Sequence, residues 1–159
     1  MKYFKILVFI IIGGLSLSSF NTNTAYKCLI QMKNYTGEGA YVVISVLDEA
    51  DNYVETLHVR GEDEEWYHDI DQWWDFYGKT RPSLDGKTGA TIAGGRRAVS
   101  QFQLQPEWIN KGYSLRFETA VEDQAYHLDD VKIKITSQLL EGKTTNGKGF
   151  IRFIKLLPL

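Results

Sequence analysis

The chain has 159 residues and a formal net charge of −2. This length is typical of one domain with a substantial core, and the slight excess of acidic residues argues against nucleic-acid binding, which requires a basic surface. The single cysteine excludes an internal disulfide and a cysteine-rich metal cluster.

The first residues follow the order of a secretory signal peptide. Two early lysines give a short positive region, residues 6–12 are unbroken apolar sequence, and small residues and serines follow. The apolar stretch is too short and too rich in serine for a membrane-spanning helix, which needs about 20 apolar residues. We therefore predict a signal peptide over residues 1–25 and an exported domain over residues 26–159, in the periplasm or cell envelope. An uncleaved N-terminal anchor is the alternative.

The exported region begins with three predicted strands, at residues 26–33, 40–47 and 53–60. The second of these is a short run of β-branched and aromatic residues, and residues 48–52 have turn chemistry. The second and third strands are therefore predicted to form a hairpin. The acids in its turn lack the central glycine and terminal glutamate of a calcium loop, so a plain turn is favoured over a metal site.

An aromatic segment follows at residues 66–77. Its large apolar residues recur at helical spacing, with acidic residues between them: Trp66, Ile70, Trp73, Trp74 and Tyr77. We predict an amphipathic helix of about three turns that ends at Gly78 and covers one side of the sheet. Trp66 and Trp73 are assigned to the core. Trp74 lies about a hundred degrees around the helix from Trp73, so it faces either the core or a ligand.

Residues 79–95 have the composition of a loop, rich in Gly, Thr, Lys and Arg, and loops of this length are usually functional or mobile. Four more strands are predicted after it, at residues 98–104, 113–122, 131–137 and 150–156. About seven short strands separated by turns favour a mainly β fold. We predict an antiparallel immunoglobulin-like β-sandwich with one short amphipathic helix and a long loop.

Within the loop, residues 85–91 read Asp-Gly-Lys-Thr-Gly-Ala-Thr. This sequence resembles the acceptor motif of bacterial flavin transferases, Asp-x-x-(Ser/Thr)-Gly-Ala-(Ser/Thr), in which FMN is joined to the last hydroxyl through a phosphoester bond. Every fixed position of the motif is filled: Asp85, Thr88, Gly89, Ala90 and Thr91. The resemblance implies that Thr91 is a covalent FMN acceptor and that a bacterial flavin transferase is a partner.

The residue types fit this chemistry. A threonine hydroxyl is a weak nucleophile and must enter another enzyme's site to be activated by a base and a metal. Small residues allow the backbone to approach closely, and a mobile exposed loop can enter such a site. On this interpretation Trp74 or Tyr77 stacks on the isoalloxazine ring, and flanking arginines neutralise the flavin phosphate: Arg81, Arg96 and Arg97. The alternative is a surface loop whose threonines bond the local backbone and whose arginines keep it soluble.

A wider stretch of the chain is similar to domain-of-unknown-function family 2271, a family of predicted periplasmic bacterial proteins. The shared features are a hairpin at residues 42–57, the pair Trp73–Trp74, the motif at residues 85–91, and a strand at residues 113–122. The resemblance implies an envelope protein that works near membrane redox partners.

Two functions follow as hypotheses. The first is an exported electron-transfer module that carries FMN on Thr91, exchanges electrons with a membrane redox protein, and is more a redox carrier than an enzyme with its own substrate. The alternative is a cofactor-free immunoglobulin-like binding or scaffold domain of the cell envelope. The variant Thr91→Ala discriminates between them, because it would abolish flavin attachment under the first hypothesis and change almost nothing under the second.

No metal site is predicted, because the histidines His58 and His68 lack the spacing of zinc ligands.

Overall fold

A computed structural model describes residues 23–159. Most of the predicted signal peptide, residues 1–22, lies outside the described residues. Within the described part of the chain, no helix has the length and apolar character needed to cross a membrane.

Two β-sheets form the molecule. Sheet 1 is wholly antiparallel, with the order β5 (Arg97–Leu104), β1 (Thr24–Met32), β9 (Ile151–Pro158), β8 (Thr144–Asn146). Sheet 2 has the order β4 (Thr88–Gly89), β3 (Tyr53–Arg60), β2 (Tyr41–Leu47), β6 (Ser114–Ala120), β7 (Tyr126–Lys134), and only β4 is parallel to its neighbour. The helices are α1 (Asp71–Thr80) and α2 (Ser137–Leu140), and short 3-10 turns occupy Glu64–Asp69 and Pro106–Trp108.

The main core lies between the two sheets. Strand β1 shows the alternation that places it there: Cys28 and Ile30 are fully buried, whereas Lys27 between its buried neighbours is exposed. Their partners across the interior include Ile44 of β2 and Phe117 of β6, both fully buried. Each fully buried Ile or Phe side chain contributes roughly 1.5–3 kcal/mol through removal of apolar surface from water.

A second apolar cluster joins α1 to the outer face of sheet 2. Trp73 is fully buried there, against Tyr67 and Tyr77, and the cluster rests on Val43 and Val59 of the sheet. The Trp73 indole N–H donates to the hydroxyl of Thr56 at 2.8 Å, so its polar atom is satisfied inside the cluster. The helix therefore covers sheet 2 on the side away from sheet 1.

The mainly β sandwich predicted from the sequence is confirmed, and so is the hairpin of β2 and β3. The strand order differs from the ABED and CFG sheets of an immunoglobulin constant domain, because β1 lies between β5 and β9 in sheet 1. The predicted loop contains the two-residue strand β4, and the stretch between the last two predicted strands contains β8.

The helix prediction needs correction at both ends. Residues 66–69 belong to a 3-10 turn, because Asp63 caps that turn by accepting the Glu65 N–H at 3.1 Å, and α1 starts only at Asp71. The helix also continues past Gly78 to Thr80. A Cβ at Gly78 would lie 3.1 Å from the Trp74 ring, so this glycine makes room for an aromatic side chain instead of ending the helix.

Candidate functional site

The segment of residues 85–91 lies at the open edge of sheet 2, and a tight turn leads into it. The Lys87 N–H donates to the Leu84 carbonyl at 2.8 Å, and Gly86 occupies the third position of the turn with φ +68°. This left-handed backbone favours glycine at that position. The turn leaves Asp85 exposed at its tip.

Backbone hydrogen bonds hold the segment at two places. The carbonyls of Lys87 and Gly89 accept the N–H groups of Val59 at 2.7 Å and Gly61 at 2.6 Å. Three residues further along, Ile92 exchanges two hydrogen bonds with Ala40, at 2.9 and 3.0 Å. The segment is exposed but pinned, which differs from the freely mobile loop suggested by its composition. Ala90 and Thr91 lie between the two anchors.

Thr91 is exposed, and its side chain lies directly over Gly39. A Cβ at Gly39 would come within 2.4 Å of the Thr91 Oγ1 and 2.8 Å of its Cβ. Any side chain at position 39 would therefore occupy the space of the Thr91 hydroxyl. Gly39 was not identified from the sequence as part of the site. The only feature of the sequence that marks this residue is its position immediately before a strongly predicted strand.

Gly89 also has a close neighbour, the guanidinium of Arg60. A Cβ at Gly89 would lie 2.8 Å from Arg60 Nη1. Arg60 donates from Nε to the Ser100 hydroxyl at 3.0 Å and from Nη2 to the Val99 carbonyl, so it joins sheet 2 to sheet 1 beneath the motif. Burial lowers the pKa of this guanidinium, and the charge of Glu62 acts in the opposite direction.

Lys87, inside the motif, is also fixed by contacts. Its ammonium donates to a Glu55 carboxylate oxygen at 2.9 Å and to the Thr56 carbonyl at 3.0 Å. These contacts turn the Lys87 side chain toward β3.

A cleft of about 420 Å³ separates the end of α1 from the motif. It brings together three of the predicted site residues, Tyr77, Asp85 and Thr88, whereas Trp74 and Thr91 do not line it. The other charged groups in its lining are Glu62, Glu64 and Arg81. Burial, with a smaller effect from Glu64, raises the pKa of Tyr67 in this cleft to about 12, so its hydroxyl stays protonated at neutral pH.

The two aromatic candidates differ in what they offer a ligand. Tyr77 is 5% exposed and stacks on Trp73, with ring centroids 4.6 Å apart. Trp74 is half-buried, and the Arg81 guanidinium lies 5.5 Å from its ring centroid. Trp74 is therefore the more accessible of the two rings.

The three flanking arginines do not converge on one point. Arg81 is associated with Trp74, whereas Arg97 belongs to β5 of sheet 1 and donates to the Gln31 side chain at 3.1 Å. The histidines are likewise separate, since His58 is buried in β3 and His68 is exposed beside Asp69. Residues 23–159 contain no group of three or more His, Cys, Asp or Glu side chains arranged to hold a metal ion.

Together, the fold and the edge segment define a β-sandwich that presents a threonine hydroxyl on a pinned, glycine-containing edge. The chain belongs to the family of predicted periplasmic proteins DUF2271, whose match extends over residues 23–153 and thus over nearly all of the sandwich. Its location is the periplasm, as that family description states. No curated protein and no solved structure matches the chain significantly.

Proposed function

We propose that this protein is a periplasmic electron-transfer module that carries FMN covalently on Thr91, where a bacterial flavin transferase attaches it. The observation that carries the proposal is the exposed Thr91 side chain within a complete acceptor motif, held between two backbone anchors. An exposed hydroxyl on a defined edge suits recognition by a second enzyme better than a buried one.

The attachment step forms one bond and breaks one bond. The Thr91 Oγ1 attacks the FMN phosphorus of a flavin dinucleotide donor, the Oγ1–P bond forms, and the bond from that phosphorus to the AMP leaving group breaks. The hydroxyl proton passes to a base of the transferase. The product is the FMN ester of Thr91, a mass gain of one FMN less one water.

Several residues of this chain fit an acceptor role. Gly39 leaves the space that the Thr91 side chain occupies, and Gly89 allows the motif to lie against Arg60. Asp85 and Thr88 line the cleft beside α1 and face outward, available to the transferase. Among the aromatic residues of α1, Trp74 is the candidate to stack on an isoalloxazine ring, because Tyr77 already stacks on Trp73.

Bound FMN supplies one- and two-electron redox chemistry, and the protein supplies orientation and electrostatics. A carrier of this kind needs no substrate pocket of its own. Its partners are the flavin transferase and a membrane redox protein.

The test is co-expression with a bacterial flavin transferase, followed by intact mass and in-gel fluorescence. We expect the FMN mass gain in the wild-type protein and its complete loss in Thr91→Ala. Thr36→Ala, another exposed threonine outside the motif, is the matched control and should be labelled normally. An unlabelled wild-type protein, beside an acceptor that is labelled in the same cells, would favour the alternative of a cofactor-free binding or scaffold domain.

A further inference from the structure

Charge is distributed unevenly between the two sheets. The whole chain has 20 acidic and 18 basic residues, yet the four strands of sheet 1, all within the described residues, contain no Asp or Glu. Their charged residues are all cationic: Lys27, Arg97, Arg152 and Lys155. In contrast, seven acids lie between residues 62 and 75, five of them in the 3-10 turn and helix that cover sheet 2 and two immediately before that turn. The two outer sides of the sandwich therefore carry opposite charge.

The outer face of sheet 1 is also partly apolar. Directly paired residues share a face, so the pairs of Leu29 with Val99 and with Lys155 place these three side chains in one row. Gln31 likewise pairs with Arg97 and Phe153 in the next row. Val99 is 45% exposed, and Leu29 and Phe153 are partly exposed and belong to neither apolar core.

A β-bulge adds a further cation to this face. Gln31 pairs with Phe153 and the next residue, Met32, pairs with Ile151, which leaves Arg152 without a partner in the ladder. Ile151 is fully buried and Arg152 is exposed. Bulges of this kind re-aim a side chain, and here the extra residue points outward beside Phe153.

A groove of about 630 Å³ lies at this end of the face. Its charged lining residues are Lys33, Arg97 and Arg152, and no acidic residue lines it. Across residues 23–159, none of these three cations forms a salt bridge. Lys33 donates to the Lys148 carbonyl at 3.0 Å and Arg97 to Gln31 at 3.1 Å, which are neutral acceptors. Three positive charges thus face one groove without neutralisation.

We propose that the outer face of sheet 1 binds the surface of an anionic phospholipid membrane, with a headgroup phosphate in the groove between Arg97 and Arg152. Exposed apolar side chains among unpaired cations suit the interface between headgroups and acyl chains. The acidic side of the molecule would be repelled by the same surface, so the charge separation also orients the domain. This inference does not depend on the modification of Thr91.

The test is flotation of the protein recovered from the periplasm with vesicles of phosphatidylglycerol and phosphatidylcholine, compared with phosphatidylcholine alone. We expect binding only to the anionic vesicles, and less binding at high salt. The double variant Arg97→Gln/Arg152→Gln should bind about 25-fold more weakly, because each cation near an anionic surface contributes roughly fivefold. Lys79→Gln/Lys111→Gln removes the same charge from exposed positions outside sheet 1 and should bind almost as well as wild type.

A separate variant tests the apolar part of the face. Val99→Glu places an acid in the row of Leu29 at a position that is already exposed, so the fold should tolerate it while vesicle binding falls. The proposal is overturned if the wild type does not float with anionic vesicles, or if the two double variants bind alike. Concentration-dependent association measured by light scattering, lost in Arg97→Gln/Arg152→Gln without any lipid binding, would assign the face to a second copy of the chain instead.

Discussion

At the scale of single residues, His58 is unusual because it is buried without a hydrogen-bond partner. Its residue exposure is 7%, and both ring nitrogens lack partners. Burial, with a smaller effect from the Arg60 charge, lowers the pKa of His58 from 6.5 to about 4. The folded protein therefore favours the neutral form of the His58 ring.

This burial predicts a pH dependence of stability. Between about pH 6.5 and pH 4 the unfolded chain binds a proton at His58 and the folded chain does not, so the free energy of unfolding falls as pH falls through this window. The loss from this group amounts to about 3 kcal/mol at pH 4. Urea unfolding at pH 7, 5.5 and 4 measures it.

Two variants isolate the contribution of His58. His58→Leu should remove this part of the pH dependence, whereas His68→Gln, at an exposed histidine, should retain it. If the free energy of unfolding changes with pH in the same way for wild type and for His58→Leu between about pH 6.5 and pH 4, His58 is not the source of this pH dependence.

Gly39 gives a second prediction at this scale. A methyl group added in Gly39→Ala would meet the Thr91 side chain at 2.4 Å, so Thr91 must turn or shift away. We expect flavin attachment to slow by about tenfold or more, since small misplacements of a reacting group are costly. The initial rate of labelling by a purified transferase measures this. Glu38→Ala, at the exposed neighbouring position, should label at the wild-type rate, and equal rates in all three proteins would show that Gly39 has no positioning role.

At the scale of elements, the N-terminus of α1 is capped by sheet 2 and not by its own sequence. Ile70, the residue before the helix, offers no side-chain cap. Instead, the Tyr126 hydroxyl accepts the Gln72 N–H at 3.3 Å and a Glu118 carboxylate oxygen accepts the Trp73 N–H at 3.2 Å. The helix start is thus fixed by residues from β6 and β7.

Glu118 is the centre of this arrangement. It is fully buried and also accepts hydrogen bonds from Arg116 at 2.8 and 3.1 Å, from Tyr126 at 2.6 Å, and from Tyr53. Glu118→Gln would leave the Arg116 charge buried without its partner, at a cost of about 3–5 kcal/mol in the free energy of unfolding. Amide exchange in the first turn of α1 should also accelerate.

The matched control is the exposed ion pair of Lys132 and Asp51, whose nitrogen and oxygen are 2.9 Å apart. Asp51→Asn should cost less than about 1 kcal/mol, because solvent screens such pairs. Urea unfolding compares the two variants. If both lose stability equally, the buried network does not hold α1 as described.

The elements differ in how far the sequence predicted them. The β2–β3 hairpin was predictable because its alternation and its turn chemistry agree. Strand β7 was predicted at residues 131–137 but occupies Tyr126–Lys134, since its first half contains polar residues that resemble a loop. Among these, Asp130 is buried because it accepts hydrogen bonds from Thr119 at 2.7 Å and from the Ile151 N–H at 2.9 Å. Such long-range partners leave no local pattern in the sequence.

The same limit applies to the candidate site. The motif at residues 85–91 is contiguous, so a sequence comparison finds it. Gly39 and Arg60, which support Thr91 and Gly89, come from distant parts of the chain and are identified only by their contacts. Strand β4 was missed because two residues without alternation give no signal, and it is formed by hydrogen bonds from β3.

At the scale of the whole molecule, the sandwich separates three surfaces. The acidic turn and helix cover sheet 2, the cationic face of sheet 1 is uncovered by α1, and the edge that bears Thr91 is pinned to β3 and to Ala40. A carrier oriented on a membrane by sheet 1 would keep its acidic side directed into the periplasm. The edge segment is the proposed FMN acceptor.

The most direct measurement locates the flavin within the protein labelled by a transferase. Trypsin cuts after Lys87 and Arg96, and the peptide of residues 88–96 contains only two hydroxyl groups, those of Thr88 and Thr91. Fragmentation mass spectrometry of this peptide distinguishes them. We expect the FMN phosphoester on Thr91 alone. FMN on Thr88 or elsewhere, or none at all beside a labelled control acceptor, would contradict it.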